Sequence, residues 1–284
     1  MAMLLLAHAA YPDQIEAATV DHGLRAGSAD EAAEVARVCH ELGVPHAVLS
    51  VTVADGNLQS QARSARYTAL AAWMEARGLV ALATAHHADD QAETLLMRLN
   101  RASGVGGLAG VRALGRVPGT QYPLLRPLLD WRRDDLAAVV AAAGLTAAQD
   151  PSNSNDRFDR VRLRKALAGG GAGADWLDIP ALAASAAHLG DADAALEWAA
   201  GREWSEAVEE RGLGITYRPR APRAIALRVV ARIVTKLDGE EPRGSAVARL
   251  FDALMARQTA SIGNLVARPT HEGWSFTPAP KRRN

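Results

Sequence analysis

A single cysteine, Cys39, stands in the 284 residues of this chain. That excludes an intramolecular disulfide and any Cys-x-x-Cys metal or sulfur-transfer site. There is no run of about eighteen apolar residues, so no membrane span is expected. The apolar start, residues 1–10, has no basic residue before it and no small-x-small cleavage pattern, so it does not read as a signal peptide. It looks instead like a helix from the middle of a fold. Excess charge of either sign is missing too: 32 Lys and Arg balance 32 Asp and Glu. Any nucleic-acid partner must then be held by local patches rather than by a global field. No internal repeat is visible. A cytoplasmic protein is the natural reading.

Apolar residues make up 49% of the chain, ample for one large domain and a smaller one. The first half alternates strand and helix signals. Ile15 to Val20 is a short apolar run ending at Asp21-His22-Gly23, a strand and its turn. Ser28 and Glu31 have capping-box spacing before a helix that stops near Gly43. His46 to Val53 reads as a β-branched strand, and a helix from about Leu58 ends at Gly78. Leu79 to Ala85 is a third strand, apolar throughout, as expected when both faces are covered. A helix starting at Asp90 and Glu93 runs out at Gly104, Gly106 and Gly107. Such alternation implies an α/β fold with a doubly wound parallel sheet. Ligands bind beyond the carboxyl ends of its strands, where Asp21, His22, His86, His87, Asp89 and Asp90 fall. Residues 1–7 read as the helix after a first strand, yet no such strand precedes them. A flexible linker is expected at 169–174. Beyond it come helical patterns from Pro180 to about Glu210, Arg223 to Lys236 and Ser245 to Arg257. Leu265–Ala267 and Trp274–Phe276 suggest a hairpin.

Three segments could carry chemistry. His86-His87-Ala88-Asp89-Asp90-Gln91-Ala92-Glu93-Thr94 lies between a buried strand and a helix start. In the ordinary structural reading Asp90 is the N-cap and Glu93 completes a capping box. In the functional reading three carboxylates within five residues suit Mg²⁺, which takes one or two carboxylates plus substrate phosphates. The two readings are compatible. Zinc is disfavoured, since no thiolate or correctly spaced third histidine accompanies the pair. The second segment is Asp150-Pro151-Ser152-Asn153-Ser154-Asn155 and the basic helix behind it. There Arg157, Arg160 and Arg164 share one face, away from Phe158 and Val161. A one-sided arginine row can pair bidentately with phosphates, although most basic helices are merely solvated. Asp21-His22-Gly23-Leu24-Arg25 is the third, an acid at a strand end that could touch a ribose or could simply close a turn.

Taken together the segments resemble tRNA(Ile)-lysidine synthetases, of the PP-loop (N-type ATP pyrophosphatase) superfamily. The matching pieces run in order: Val20 to Arg25; Ala62-Arg63 with Arg66-Tyr67; Ala83 to His87 with Asp89-Asp90-Gln91 and Glu93-Thr94. Arg98, Gly104 and Gly107-Leu108 follow, then Arg126-Pro127-Leu128-Leu129, Asp150 with Ser152-Asn153, and Arg160 with Arg164. The resemblance implies an adenine nucleotide α-hydrolase-like catalytic domain over 1–168, its first strand missing. It also implies a smaller, mainly helical tRNA-binding domain over 175–284 with a C-terminal β-hairpin. The implied reaction uses ATP and Mg²⁺ to adenylate C2 of the wobble cytidine of an isoleucine tRNA with a CAU anticodon. Free L-lysine then displaces AMP, giving lysidine. Asp89, Asp90, Glu93, His87, Arg160 and Arg164 are the implied catalytic residues, Asp89 and Asp90 the Mg²⁺ ligands, and Asp21, His22 and Gly23 the ATP-side contacts.

One departure is plain. The family carries a Ser-Gly-Gly-x-Asp-Ser loop just before the helix matching residues 1–10, and its amides form a phosphate nest. This sequence has no such loop. A start assigned too far downstream is the expectation, with truncation or an inactive tRNA-binding remnant as alternatives, and the chain as it stands is expected to handle ATP poorly. A thiolase of the same superfamily would need several cysteines. A small-molecule amidating enzyme would not need the arginine helix.

Overall fold

The structure, a computed structural model, describes residues 1–23, 27–52, 58–146, 159–168 and 177–279, with backbone only at 58, 59, 159, 160, 166 and 168. Leu24, Arg25, the Asp150–Asn155 segment, Arg157, Phe158, the Arg160 side chain and the expected linker at 169–174 lie outside what is described. Chain contacts divide the protein into two units, Met1–Gly190 and Asp191–Asn284. The division falls inside one helix.

In the first unit α1 (Ala2–Ala10) precedes β1 (Ala17–Asp21), α2 (Ser28–Leu42), β2 (His46–Ser50) and α3 (Leu58–Arg77). Then come β3 (Leu82–Ala83), α4 (Ala88–Leu99), α5 (Val105–Leu108), β4 (Leu114–Arg116), β5 (Pro123–Leu125), α6 (Arg133–Ala142) and α7 (Asp159–Ala168). Strands β1 and β2 pair in parallel from Ala17↔His46 to Asp21↔Ser50. Strands β3 and β5 also pair in parallel, and β4 adds antiparallel to β5. Among the described residues no backbone ladder joins the two pieces. Helix α3 packs across both. Tyr67, Leu70 and Met74 follow a 3-4 spacing that puts them on one stripe, and they meet Leu82 and Leu124 of one piece and Val20 and Leu49 of the other. The helix stops at Gly78, whose φ of +67° suits the left-handed C′ position, and the Leu79 N–H reaches back to Met74 O at 2.9 Å. Helix α1 buries Ala2 with Leu128, Leu136 and Val140, so it packs on α6.

Helix α8 (Ile179–Ala207) runs through the division. In the second unit it is followed by β6 (Val208–Arg211), β7 (Gly214–Tyr217), α9 (Arg223–Asp238), α10 (Gly244–Met255), β8 (Ala260–Ile262), β9 (Leu265–Thr270) and β10 (Gly273–Pro278). The expected hairpin is β9–β10, with Trp274 opposite Pro269. It forms part of a five-stranded antiparallel sheet in the order β6-β7-β10-β9-β8. The sequence reading carried the helix on to about Glu210, whereas it ends at Ala207 and β6 begins at once. Trp274 meets Tyr217 and Phe251 edge-on at 5.8 and 5.2 Å, packing the sheet against Val229, Val230, Ile233, Leu250 and Leu254 of α9 and α10. The buried Glu203 of α8 accepts from Tyr217 Oη at 3.1 Å and from the Arg220 and Ala221 amides at 2.8 and 3.1 Å. It thereby holds the loop between β7 and α9. No described helix is long and apolar enough to cross a membrane.

Candidate active site at the start of helix α4

Beyond β3 the chain stays extended alongside the segment that follows β5. The Thr84 N–H donates to Leu125 O and the Ala88 N–H to Trp131 O, both at 2.9 Å, and His87 bridges to Leu128. Pairing ends there and α4 begins, so the N-cap is His87, with extended backbone at φ −132°. This corrects the capping assignment. Asp90 is not the N-cap but the third helical residue, and its Oδ2 accepts the His87 N–H at 3.1 Å. Glu93 sits one turn further on and takes no part in the capping box.

Asp89 faces the start of α6. Its Oδ2 accepts the Arg133 N–H at 2.9 Å and Arg132 Nε at 3.3 Å, and its Oδ1 faces Arg132 Nη2 at 3.5 Å. It thus satisfies an orphan donor at the positive end of α6. Burial pushes its carboxyl up, but the Arg133 amide and the Arg132 guanidinium outweigh that and hold it below the usual carboxylate range.

Glu93 is 1% exposed. Its Oε1 accepts Arg164 Nε at 2.8 Å and Arg133 Nη2 at 3.3 Å, while Oε2 accepts Arg164 Nη2 at 3.3 Å. The two-pronged contact raises the Arg164 guanidinium further above its ordinary value. In the structure Arg164 ties α7 to α4 through this carboxylate. His87 turns toward both neighbouring acids, with Nδ1 3.6 Å from Asp89 and Nε2 3.5 Å from Asp90, and Nδ1 has no hydrogen-bond partner.

Next to this turn lies a cavity of about 260 Å³ lined by Arg63, Arg66, Tyr67, Leu70, Thr84, Ala85, His86 and Asp90. The first four share one face of α3 at i, i+3, i+4 and i+7. Arg63 stacks over the Tyr67 ring at 5.0 Å. His86 lies on the cavity wall, and its Nδ1 is 3.0 Å from Thr84 Oγ1. Sequence reasoning did not assign His86, Arg63 or Arg66 a role. The 3-4-7 pattern on α3 was the signal available. Of the β1 end, His22 approaches the cavity: its Nε2 lies 3.5 Å from Arg66 Nη2. Burial, then Arg66, lowers the His22 pKa. Asp21 Oδ1 accepts the Gly23 N–H at 2.9 Å and closes the turn, which lowers its carboxyl pKa.

The far end of the turn is braced by Gln91, which donates Nε2 to Val111 O at 2.8 Å and accepts the Val111 N–H at 2.9 Å. Gly110, at φ +61°, leaves the room: a Cβ there would overlap Gln91 Oε1. Arg126, also buried, reaches Arg112 O with Nη1 at 2.6 Å. Among the described residues no three His, Cys, Asp or Glu side chains converge as a metal cage. Asp90 is the carboxylate on the cavity, whereas both oxygens of Asp89 face arginines.

Residues 1–169 match the family model of the PP-loop domain. Over its whole length the chain is 46% identical to the tRNA(Ile)-lysidine synthase of Novosphingobium aromaticivorans, covering 87% of that protein. It is 37% identical over 99% of its length to the tRNA(Ile)-lysidine synthase of Zymomonas mobilis, covering 85% of it. Among solved structures, the U34-tRNA thiolase NcsA from Methanococcus maripaludis, with its 4Fe-4S cluster, matches with a TM-score of 0.52 at 16% identity over 66% of each chain. That likeness speaks for the α/β fold alone. With an ATP-binding PP-loop domain over more than half its length and full-length relatives of one kind, the chain is a tRNA-modifying ligase and belongs to the tRNA(Ile)-lysidine synthase family.

Proposed function

We propose that the protein ligates free L-lysine to C2 of the wobble cytidine of an isoleucine tRNA with a CAU anticodon, consuming ATP. The observation that carries this reading is 46% identity to a tRNA(Ile)-lysidine synthase across the full chain. A single buried cysteine supports it over sulfur transfer.

In the first step the cytidine O2 attacks the α-phosphorus of ATP. The O–P bond forms, the bond to the β-phosphate breaks and pyrophosphate leaves. Arg63 and Arg66, on one face of α3, supply positive charge for the phosphates. The residues fit Mg²⁺ in its usual mode, with Asp90 as the protein carboxylate and substrate phosphates completing the shell. When bound, the ion would neutralise charge on the leaving pyrophosphate.

In the second step the lysine amine forms a bond to C2, the C2–O bond breaks and AMP leaves with the oxygen. His86, steered by Thr84, takes the proton that the amine must lose. Asp90 gives the cavity the negative charge that a cationic amino acid needs, and Asp89 fixes the start of α6 beside it. His87 holds the start of α4, and Glu93 holds Arg164 and Arg133 in place rather than touching substrate. Arg160 and the Asp21–Gly23 turn are assigned to the tRNA and ATP sides of the same site, and residues 175–284 to further tRNA contact.

The test is transfer of labelled lysine to a CAU-anticodon isoleucine tRNA transcript, with a GAU transcript as control. With protein expressed from its natural gene, ATP-dependent labelling of the CAU transcript alone is expected. ATP cleavage with no lysine in the RNA would overturn the reading.

A further inference from the structure

Helix α4 carries more than the active-site turn. Asp90, Glu93, Leu96, Met97 and Asn100 recur at three- and four-residue spacing, so they form one stripe along the helix. Its start lies on the cavity described above. Its middle is the Glu93–Arg164 pair, which fixes α7 against α4. At its far end the two helices open into a groove of about 370 Å³ lined by Leu96, Met97, Asn100, Arg101, Arg162 and Leu163. Ten residues at about 1.5 Å each put Asn100 about 15 Å from Asp90 along the helix axis.

The lining is chemically specific. Leu96, Met97 and Leu163 give an apolar floor, Asn100 an amide, and the exposed residues Arg101 and Arg162 two guanidinium groups, with no carboxylate among the six. An apolar floor flanked by two permanent cations suits a ligand with flat, weakly polar faces and a repeating negative charge. That describes a nucleic-acid strand, whose phosphates take forked arginine contacts while bases or sugars cover the apolar surface. We infer that this α4–α7 groove is an RNA-strand subsite in which Arg101 and Arg162 hold backbone phosphates of the same tRNA whose target base enters the Asp90 cavity. The inference rests on the tRNA reading above and assigns the phosphate contact to Arg162, not to its neighbour Arg164. The Glu93–Arg164 pair then has a second consequence: by fixing α7 it sets the separation between the groove and the cavity, so one strand can span both.

The test measures binding of the CAU-anticodon isoleucine tRNA transcript by fluorescence anisotropy over a salt series. It compares the wild-type chain, Arg101→Ala, Arg162→Ala, the double variant, Arg162→Lys, and Arg37→Ala as a charge-loss control at an exposed position of α2. Circular dichroism and urea unfolding verify each variant's fold. Each alanine is expected to weaken binding by about tenfold or more and to flatten the slope of log K against log salt by about 0.7–0.9 per lost contact. Arg162→Lys should keep the slope while losing affinity, because the point charge remains and the fork does not. Arg37→Ala should behave as wild type. If the wild type binds the transcript and the folded double variant binds it equally with an unchanged slope, the groove assignment is overturned while the tRNA reading stands. If the wild type does not bind the transcript at all, the tRNA reading falls and the groove assignment falls with it.

Discussion

Glu93 and Arg164 are 71 positions apart in the chain, yet Arg164 Nε lies 2.8 Å from Glu93 Oε1 with its second nitrogen on Oε2. A carboxylate that is 1% exposed is stable as an anion only with such partners. Removing one member of a buried pair costs more than the pair contributes, because a charge is left stranded. Arg164 keeps about a quarter of its side chain in solvent, and Arg133 still faces Glu93. Arg164→Ala should therefore destabilise the first unit by about 3 kcal/mol, the low end for a broken buried pair. Urea unfolding measures this. The double variant Glu93→Gln/Arg164→Ala should recover part of the loss, and strictly additive effects would show that the two groups do not interact.

Asp90 combines two roles that a conservative change separates. Asn at this position can still accept the His87 N–H but carries no charge for a metal. Asp90→Asn should keep the fold and the affinity for tRNA while abolishing lysine transfer. Turnover equal to wild type at limiting Mg²⁺ would reduce Asp90 to a helix cap.

Asp89 makes stability depend on acid. Its folded pKa is depressed, so its contribution is fully present above the unfolded value of about 3.9 and is lost as pH falls through the lower folded value. Wild type should lose stability in that acid window more steeply than Asp89→Asn, which should already be weaker at neutral pH. Parallel stability curves for the two proteins would remove Asp89 from the capping of α6.

Gly110 is expected to tolerate no side chain. Alanine there combines a positive φ with overlap of Gln91 Oε1, and a non-glycine residue held in that conformation costs about 1–3 kcal/mol. Thermal unfolding of Gly110→Ala should show a lower midpoint. An unchanged midpoint would mean that the Gln91 brace can shift without loss.

Much of this was legible in the sequence where local rules dominate. Gly43 and Gly78 mark the ends of α2 and α3, and the β9–β10 hairpin follows from its alternation around the His271-Glu272-Gly273 turn. The start of α4 was misread because histidine is an unusual N-cap. The helix begins where strand pairing with Leu128 stops, and that pairing comes from tertiary structure. Strand β6 was hidden because Val208–Arg211 continues a helical pattern and becomes strand only by pairing with β7. The partners of Glu93 could not be read at all, since arginines on one helix face do not reveal which of them turns inward. Helix geometry already sets Arg162 off the Arg160–Arg164 face, but only the packing of α7 on α4 shows that Arg164 meets Glu93.

The central claim, that the cavity between α3 and the start of α4 drives lysine transfer to tRNA, is tested most directly by one assay. The protein is purified from cells carrying the whole locus, as wild type and as Asp90→Asn. Each is given ATP, labelled lysine and the CAU-anticodon isoleucine tRNA transcript, and label in the RNA is counted. The expected result is ATP-dependent labelling by the wild type and none by Asp90→Asn, with equal tRNA binding by both. Equal labelling by both proteins would contradict the placement of the chemistry at this cavity, and absence of labelling by a wild type that binds ATP and the transcript would contradict the function itself.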